Sequence, residues 1–139
     1  MTVKQAIDAF WKAHSQGDHE GLKDVLARDL TWTVVGKTSP VAKAYHGWDG
    51  FLGELLAGLG AAFKPGTLKM QLLGSYADER QGVGVLHLQE SATLQNGNQI
   101  DLEIVDVIKV SNGKIVDVRE VMDLAAVNAA FGFDKGEQK

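Results

Sequence analysis

Apolar residues recur at helical spacing in the first third of the chain and at alternating spacing through most of the remainder. Val3, Ile7, Phe10, Trp11 and His14 share one helical face, which Thr2 and Gln5 open with the spacing of a capping box and Gly17 closes. Asp18 is placed to cap a short second helix that presents Leu22, Val25 and Leu26. Leu30 to Val35 alternates as a strand, and Gly36 and Pro40 begin an irregular crossing that runs to Gly47. A third helix is predicted from about Trp48 to Phe63, with Phe51, Leu52, Leu55, Leu56 and Leu59 as its apolar set. Gly50, Gly53, Gly58 and Gly60 each weaken that helix, so close packing on a sheet has to compensate before Pro65-Gly66 stops it.

From Thr67 to Asp123 the period changes to two, beginning with Leu68, Met70 and Leu72 against Lys69, Gln71 and Leu73. This predicts four antiparallel strands in a meander. Asp123 then caps a short terminal helix carrying Leu124, Val127 and Phe131, and Gly132 ends it. Helices first and a meander afterwards predict an α+β fold: three N-terminal helices packed in a strongly curved antiparallel sheet that forms a cone-shaped barrel. Residues 1–133 read as one domain, and the charged tail 134–139 is expected to be disordered.

The most informative polar residue is Asp106, a carboxylate in the apolar row Ile100, Leu102, Ile104, Asp106, Ile108. A charge on such a face is costly without partners, so chemistry is most plausible there. Gln95-Asn96-Gly97-Asn98 contains the Asn-Gly dipeptide of a two-residue type I′ hairpin. Pairing Gln95 with Asn98 sets His87 across from Asp106 and Gln89 across from Ile104. Val110 to Lys114 reads as a three-residue loop with Gly113 in a G1 bulge, which puts Asp106 opposite Val118 and Ile104 opposite Glu120. A two-residue loop at Asn112-Gly113 would bring Arg119 beside Asp106 instead; the bulge is preferred because it groups Val118 and Met122 with the isoleucines. His87, Gln89, Asp106 and Glu120 then share the concave face. The convex face would carry Leu86, Leu88, Val105, Val107 and Val121, five apolar residues on contiguous strands, and a homodimer through that face is expected.

The net charge of -4 comes from interspersed residues, with no basic stripe to follow a phosphate backbone, so no nucleic-acid partner is expected. The absence of cysteine excludes disulfides and thiolate metal sites. No apolar run reaches the length of a membrane span and no signal-peptide pattern opens the chain, so a cytoplasmic protein is the expectation. Gly36-Lys37-Thr38 imitates the end of a phosphate-binding loop, but Thr31 stands where the leading glycine belongs. One histidine and two carboxylates at register-dependent spacing are a weak metal signal, and neither metal nor cofactor is expected.

The element order, the crossing with Tyr45-His46-Gly47, and the run Val105-Asp106-Val107-Ile108 leading to Gly113-Lys114-Ile115 and Val118-Arg119-Glu120 resemble the NTF2-like superfamily. Within it the likeness is to the SnoaL-like and ketosteroid isomerase-like branch, over about residues 3 to 132. The resemblance implies a cone with a deep pocket, commonly dimeric through the sheet. Carried over by position, it puts Asp106 on the oxyanion-binding aspartic acid of ketosteroid isomerases, but Phe10 on their tyrosine and Thr33 near their base. The limonene epoxide hydrolase positions fall on His87, Gln89 and Glu120, without the arginine. Asp106 with His87 and Gln89 is similar in residue type to the SnoaL-type polyketide cyclases.

These readings lead to a cofactor-independent acid–base enzyme of isomerase or cyclase type acting on a small, apolar, ketone-bearing substrate. Its catalytic residues would be His87 as base, Asp106 fixing its tautomer, and Glu120 returning the proton. Gln89, Trp32, Tyr45, Phe10, His14, Val118, Met122 and Ile104 are the expected ligand contacts, although Phe10 also sits at ordinary core spacing. The alternative is a small-molecule binding domain without turnover, in which the same polar cluster orients the ligand.

Overall fold

Thr2 opens the first helix as its spacing requires: its hydroxyl accepts from the Gln5 amide, and the Gln5 side chain accepts from the Thr2 amide. The computed structural model describes residues 1–133, and the tail expected to be disordered, 134–139, lies outside the described residues. In chain order the elements are α1 (Val3–Ser15), α2 (His19–Val25), β1 (Leu26–Val34), β2 (Ala44–His46), α3, β3 (Lys69–Asp78), β4 (Val83–Thr93), β5 (Gln99–Ser111), β6 (Lys114–Val121) and α4 (Leu124–Phe131). The third helix, α3, begins as a π-helical stretch over Asp49–Leu56 and continues as α-helix over Ala57–Ala62.

Helices and sheet are segregated, as an α+β fold requires. The six strands form one sheet in the order β2-β1-β6-β5-β4-β3, which is not closed on itself. All its pairings are antiparallel except β1 with β6, which run parallel, so the sheet is mixed where the meander meets the N-terminal strand. The short strand β2 pairs with β1 inside the segment predicted as an irregular crossing.

The inner face of the sheet packs on the helices. Val3, Ala6, Ile7, Phe10 and Ala13 of α1 are buried there. Their helix comes down on β4 at Gly84, where a Cβ would lie 2.8 Å from Ile7 and 3.1 Å from Val3. The Glu79 carboxylate, in the turn between β3 and β4, accepts from the amides of Val3 and Lys4 and so ties the start of α1 to the far end of the sheet. At the other end α4 contacts β5 and is capped at both termini: Asp123 accepts from Ala125 and Ala126, and Gly132 takes the left-handed conformation at φ 80°.

The strand register differs from the sequence expectation at both hairpins, in opposite senses. Between β4 and β5 the loop has three residues, Gln95, Asn96 and Gly97; the Leu94 amide donates to the Asn98 carbonyl at 2.8 Å, and of these loop residues only Gly97 has positive φ. The asparagines expected to form the tight turn are used elsewhere, since the side chains of Asn96 and Asn98 both donate to the Ala130 carbonyl at the end of α4. Between β5 and β6 the two-residue turn does form, with Asn112 at φ 53° and Gly113 at φ 75°. A bulge between Lys109 and Val110 on one side and Ile115 and Asp117 on the other then shifts the pairing by one. As a result Asp106 faces Leu86 on one neighbour and Glu120 on the other, while His87 faces Val105 and Gln89 faces Glu103.

Candidate functional site

The corrected register sorts the polar residues. Inward on β4 come Leu86, Leu88, Glu90, Ala92 and Leu94; inward on β5 come Ile100, Leu102, Ile104, Asp106 and Ile108; and β6 adds Val118 and Glu120. Leu86 and Leu88, expected on the convex face, are therefore core residues at 0% and 2% exposure. His87 and Gln89, expected in the pocket, stand on the convex face. The His87 imidazole is 2.6 Å from Glu103 and Gln89 is hydrogen-bonded to Asp101, both partners being exposed. The expected His87–Asp106 pair does not exist, because adjacent strand positions point to opposite faces and the register is displaced by one.

Between the inner sheet face and the helices lies a cavity of about 190 Å³, well over ten times the roughly 10–15 Å³ that one water needs. Residues from α1, α3, α4 and strands β1, β3, β4, β5 and β6 line it, so the sheet curves around it. Of the residues expected to touch a ligand, Trp32, His14, Ile104 and Met122 line it, as does Glu120. Phe10 and Val118 are fully buried behind the lining. Tyr45 is also buried, donates its hydroxyl to the Val41 carbonyl at 2.8 Å, and borders a separate depression beside α3. Two lining features escape the sequence reading. Glu90 projects inward from β4, and Phe51 of α3 stacks on Trp32 with ring centroids 4.2 Å apart. The signal for Glu90 is the strand's own alternation with Leu86 and Leu88.

Asp106 and Glu120 are direct cross-strand partners on this inner face, joined side chain to side chain by a hydrogen bond. Two carboxyls can bond this way only by sharing a proton. Asp106 is 1% exposed, and its second oxygen, Oδ1, has no partner among the described residues, which is tolerable for a neutral acid and not for an ion. Burial, and then the negative charge of Glu120, hold the Asp106 carboxyl well above its ordinary range. Burial also raises Glu120, opposed by hydrogen bonds from Asp106 and from the Trp32 indole, whose Nε1 lies 3.3 Å from Oε1. The proton therefore resides mainly on Asp106, while Glu120 faces the cavity as the acceptor of two donors.

Glu90 is pushed up to about 7, first by burial and then by the charge of Glu120. Part of the surface of Glu90 and Glu120 opens to the cavity, yet protein encloses both groups and strips them of bulk water. Among the described residues, no lysine or arginine lines the cavity. His14 stacks on Phe10 at 5.2 Å and is lowered to about 4 by burial and the positive charge of His19, so at neutral pH it is an uncharged donor and acceptor. Folding then favours the neutral ring: the unfolded chain takes up a proton near pH 6.5 and the folded one does not until about 4. Stability supported by His14 is present above pH 6.5 and lost as pH falls towards 4. His14→Phe is expected to flatten that acid-side loss, measured as denaturant midpoints from pH 4 to 7.

The pair and its surroundings can transfer protons in a nearly dry, apolar space. Among the described residues, no three histidine, aspartate or glutamate side chains converge as a metal site. No helix among them is long and apolar enough to cross a membrane.

A family model described as a SnoaL-like domain matches residues 6–118. Similar solved structures include an NTF2-like protein from Burkholderia thailandensis, with 20% identity over 94% of this chain and 98% of that one and a TM-score of 0.83. Bal32a, from a soil-derived mobile gene cassette, has 22% identity over 92% and 95% of the two chains and a TM-score of 0.79. An epoxide hydrolase of Mycobacterium tuberculosis, described as LEH-like, has 17% identity over 89% and 84% and a TM-score of 0.64. No curated protein matches by sequence. At these identities the solved structures carry the NTF2-like fold alone, and the family match carries membership: the chain belongs to the SnoaL-like domain family of the NTF2-like superfamily.

Proposed function

We propose that the cavity binds a small, largely apolar, ketone-bearing molecule and that the chain is a cofactor-independent acid–base enzyme of isomerase or cyclase type. The observation that carries this reading is the proton-sharing pair of Asp106 and Glu120 in an apolar cavity that no described lysine or arginine lines. Such an environment raises carboxylate basicity towards neutral pH, where a general base is most effective. Glu120 takes a proton from the carbon next to the ketone, leaving an enolate. His14, uncharged, donates a hydrogen bond to the enolate oxygen across the cavity. Glu120, now protonated, returns the same proton to another carbon, so no net proton is gained or lost. Asp106 acts through Glu120, holding its charge and orientation, and Trp32 fixes the same carboxylate from the other side. This reading moves the base from His87 to Glu120.

Non-catalytic ligand binding is the second reading, and it draws on the engagement of Glu120 by two donors, which lowers its appetite for a further proton. Turnover assays with ketones, dienones and epoxides, the last because one structural neighbour is an epoxide hydrolase, separate the two. Turnover that rises with pH as Glu120 ionises supports catalysis. Ligand binding by calorimetry without turnover of any panel member supports the binding domain.

A homodimer is proposed through the convex face, with a patch revised from the sequence expectation. Val105 and Val121 are cross-strand partners there, as are Val85 and Val107, and Tyr76 and Val121 are 62% and 49% exposed. The wild type is expected to sediment as a dimer and Val121→Lys as a monomer; a wild-type monomer at the same concentration overturns the interface.

A further inference from the structure

The function proposed above assigns roles to Glu120, Asp106, His14 and Trp32 and leaves Glu90 without one. Glu90 is enclosed in the wall of the cavity and makes no hydrogen bond or ion pair among the described residues. A solitary carboxylate in such a place costs stability unless a ligand completes it. His14, on α1 across the cavity, is also enclosed and also without a hydrogen-bond partner among the described residues, so two polar groups present unmet capacity to the same space. The charges facing that space are of one sign. Glu120 on β6, with Asp106 on β5 behind it, adds to the negative potential at Glu90. The facing helices contribute His14 from α1 and His19 from the start of α2, while the lining from α3 and α4 is apolar. The stacked pair of Trp32 and Phe51 presents π surface to the same volume.

From this arrangement we infer that the substrate or ligand is a cationic amphiphile, a primary ammonium group on an apolar body, with the nitrogen at Glu90. The inference rests on the pocket reading above and extends it: the ketone-bearing molecule would be an amino ketone, its ammonium anchored at Glu90 and its acidic carbon presented to Glu120. A neutral ketone leaves Glu90 unpaired, and an anion meets uncompensated repulsion. An ammonium ion supplies the missing countercharge and three donors, and an aromatic wall favours its approach.

Calorimetry on the full chain with phenylpropylamine, phenylpropanol and phenylpropanoate tests this, since the three share a body and differ in the head group. At pH 8 the amine is expected to bind roughly tenfold or more tightly than the alcohol, with the carboxylate weakest. The amine stays protonated from pH 6 to 8, as an alkylammonium ion titrates near ~10. Glu90 gains its charge across that interval, so amine affinity is expected to climb with pH while alcohol affinity stays level. Glu90→Gln should abolish the preference and Glu90→Asp should retain it, with circular dichroism checking the fold of each. Alcohol binding as tight as amine binding at pH 8 overturns the cation inference and leaves the pocket reading intact. An amine preference that survives in Glu90→Gln overturns the assignment to Glu90. Failure of all three probes to bind overturns the pocket reading and this inference together.

Discussion

Glu120→Gln is expected to lower kcat/KM by about 10²–10⁴-fold on whichever ketone the wild type turns over, the usual contribution of a positioned general base. The variant keeps the size of the side chain and a partner for Trp32 while removing the only cavity-facing carboxylate of the pair. Loss of activity with an unchanged fold therefore isolates the proton-transfer role. Asp106 supplies the companion test. Its hydrogen bond lowers the affinity of Glu120 for a proton, so Asp106→Leu should raise it further and move the rising limb of the pH–rate profile to higher pH. Asp106→Asn still donates a hydrogen bond to Glu120 and should leave that limb close to its wild-type position. Wild-type turnover in Glu120→Gln, or no displacement of the limb in Asp106→Leu, contradicts the assignment.

The second large effect is on stability. Below pH 4.5 Glu90 is protonated in both states and its burial carries no charge penalty. From pH 4.5 to about 7 the unfolded chain has released the proton and the folded chain has not. The folded state then binds more protons, and stability falls as pH rises. Above that range the deficit is constant at about 3 kcal/mol, since each pH unit crossed in this interval costs ~1.36 kcal/mol. Glu90→Gln removes the titration but leaves a buried amide to satisfy, so a net gain of about 2 kcal/mol is expected at pH 8 and no gain at pH 4. Denaturant midpoints of the two proteins should diverge as pH rises between these limits. Parallel curves would mean that Glu90 is solvated in the folded state. This measurement needs no substrate, and it is independent of the catalytic reading.

The helices, their caps and the four-strand meander are legible in the sequence because each rests on local rules: the Thr2–Gln5 capping box, Asp18 and Asp123 as caps, and Gly132 as a left-handed stop. Asp106 and Glu120 fall on one inner face by sequence and by structure alike. The surroundings of that pair are misread when the turn signal outranks strand alternation. Asn96-Gly97 has the form of a two-residue turn, whereas the asparagines at 96 and 98 are drawn to the Ala130 carbonyl, a tertiary contact no local rule contains. Leu86 and Leu88 favour the other phase, which brings Glu90 inward and sends His87 out. The three-residue spacing of Ile115 and Val118, both fully buried, similarly marks the bulge in β6.

The helical stretch over Asp49–Leu56 winds with hydrogen bonds five residues apart, one more than an α-helix uses. Removing one residue from it would restore ordinary winding and rotate everything after it by about 100°. Leu59 and Phe63, which line the cavity from beyond that stretch, would then be exchanged for their neighbours. A one-codon deletion there is thus a natural route to a different ceiling over an unchanged proton-transfer floor, and hence to another choice of guest.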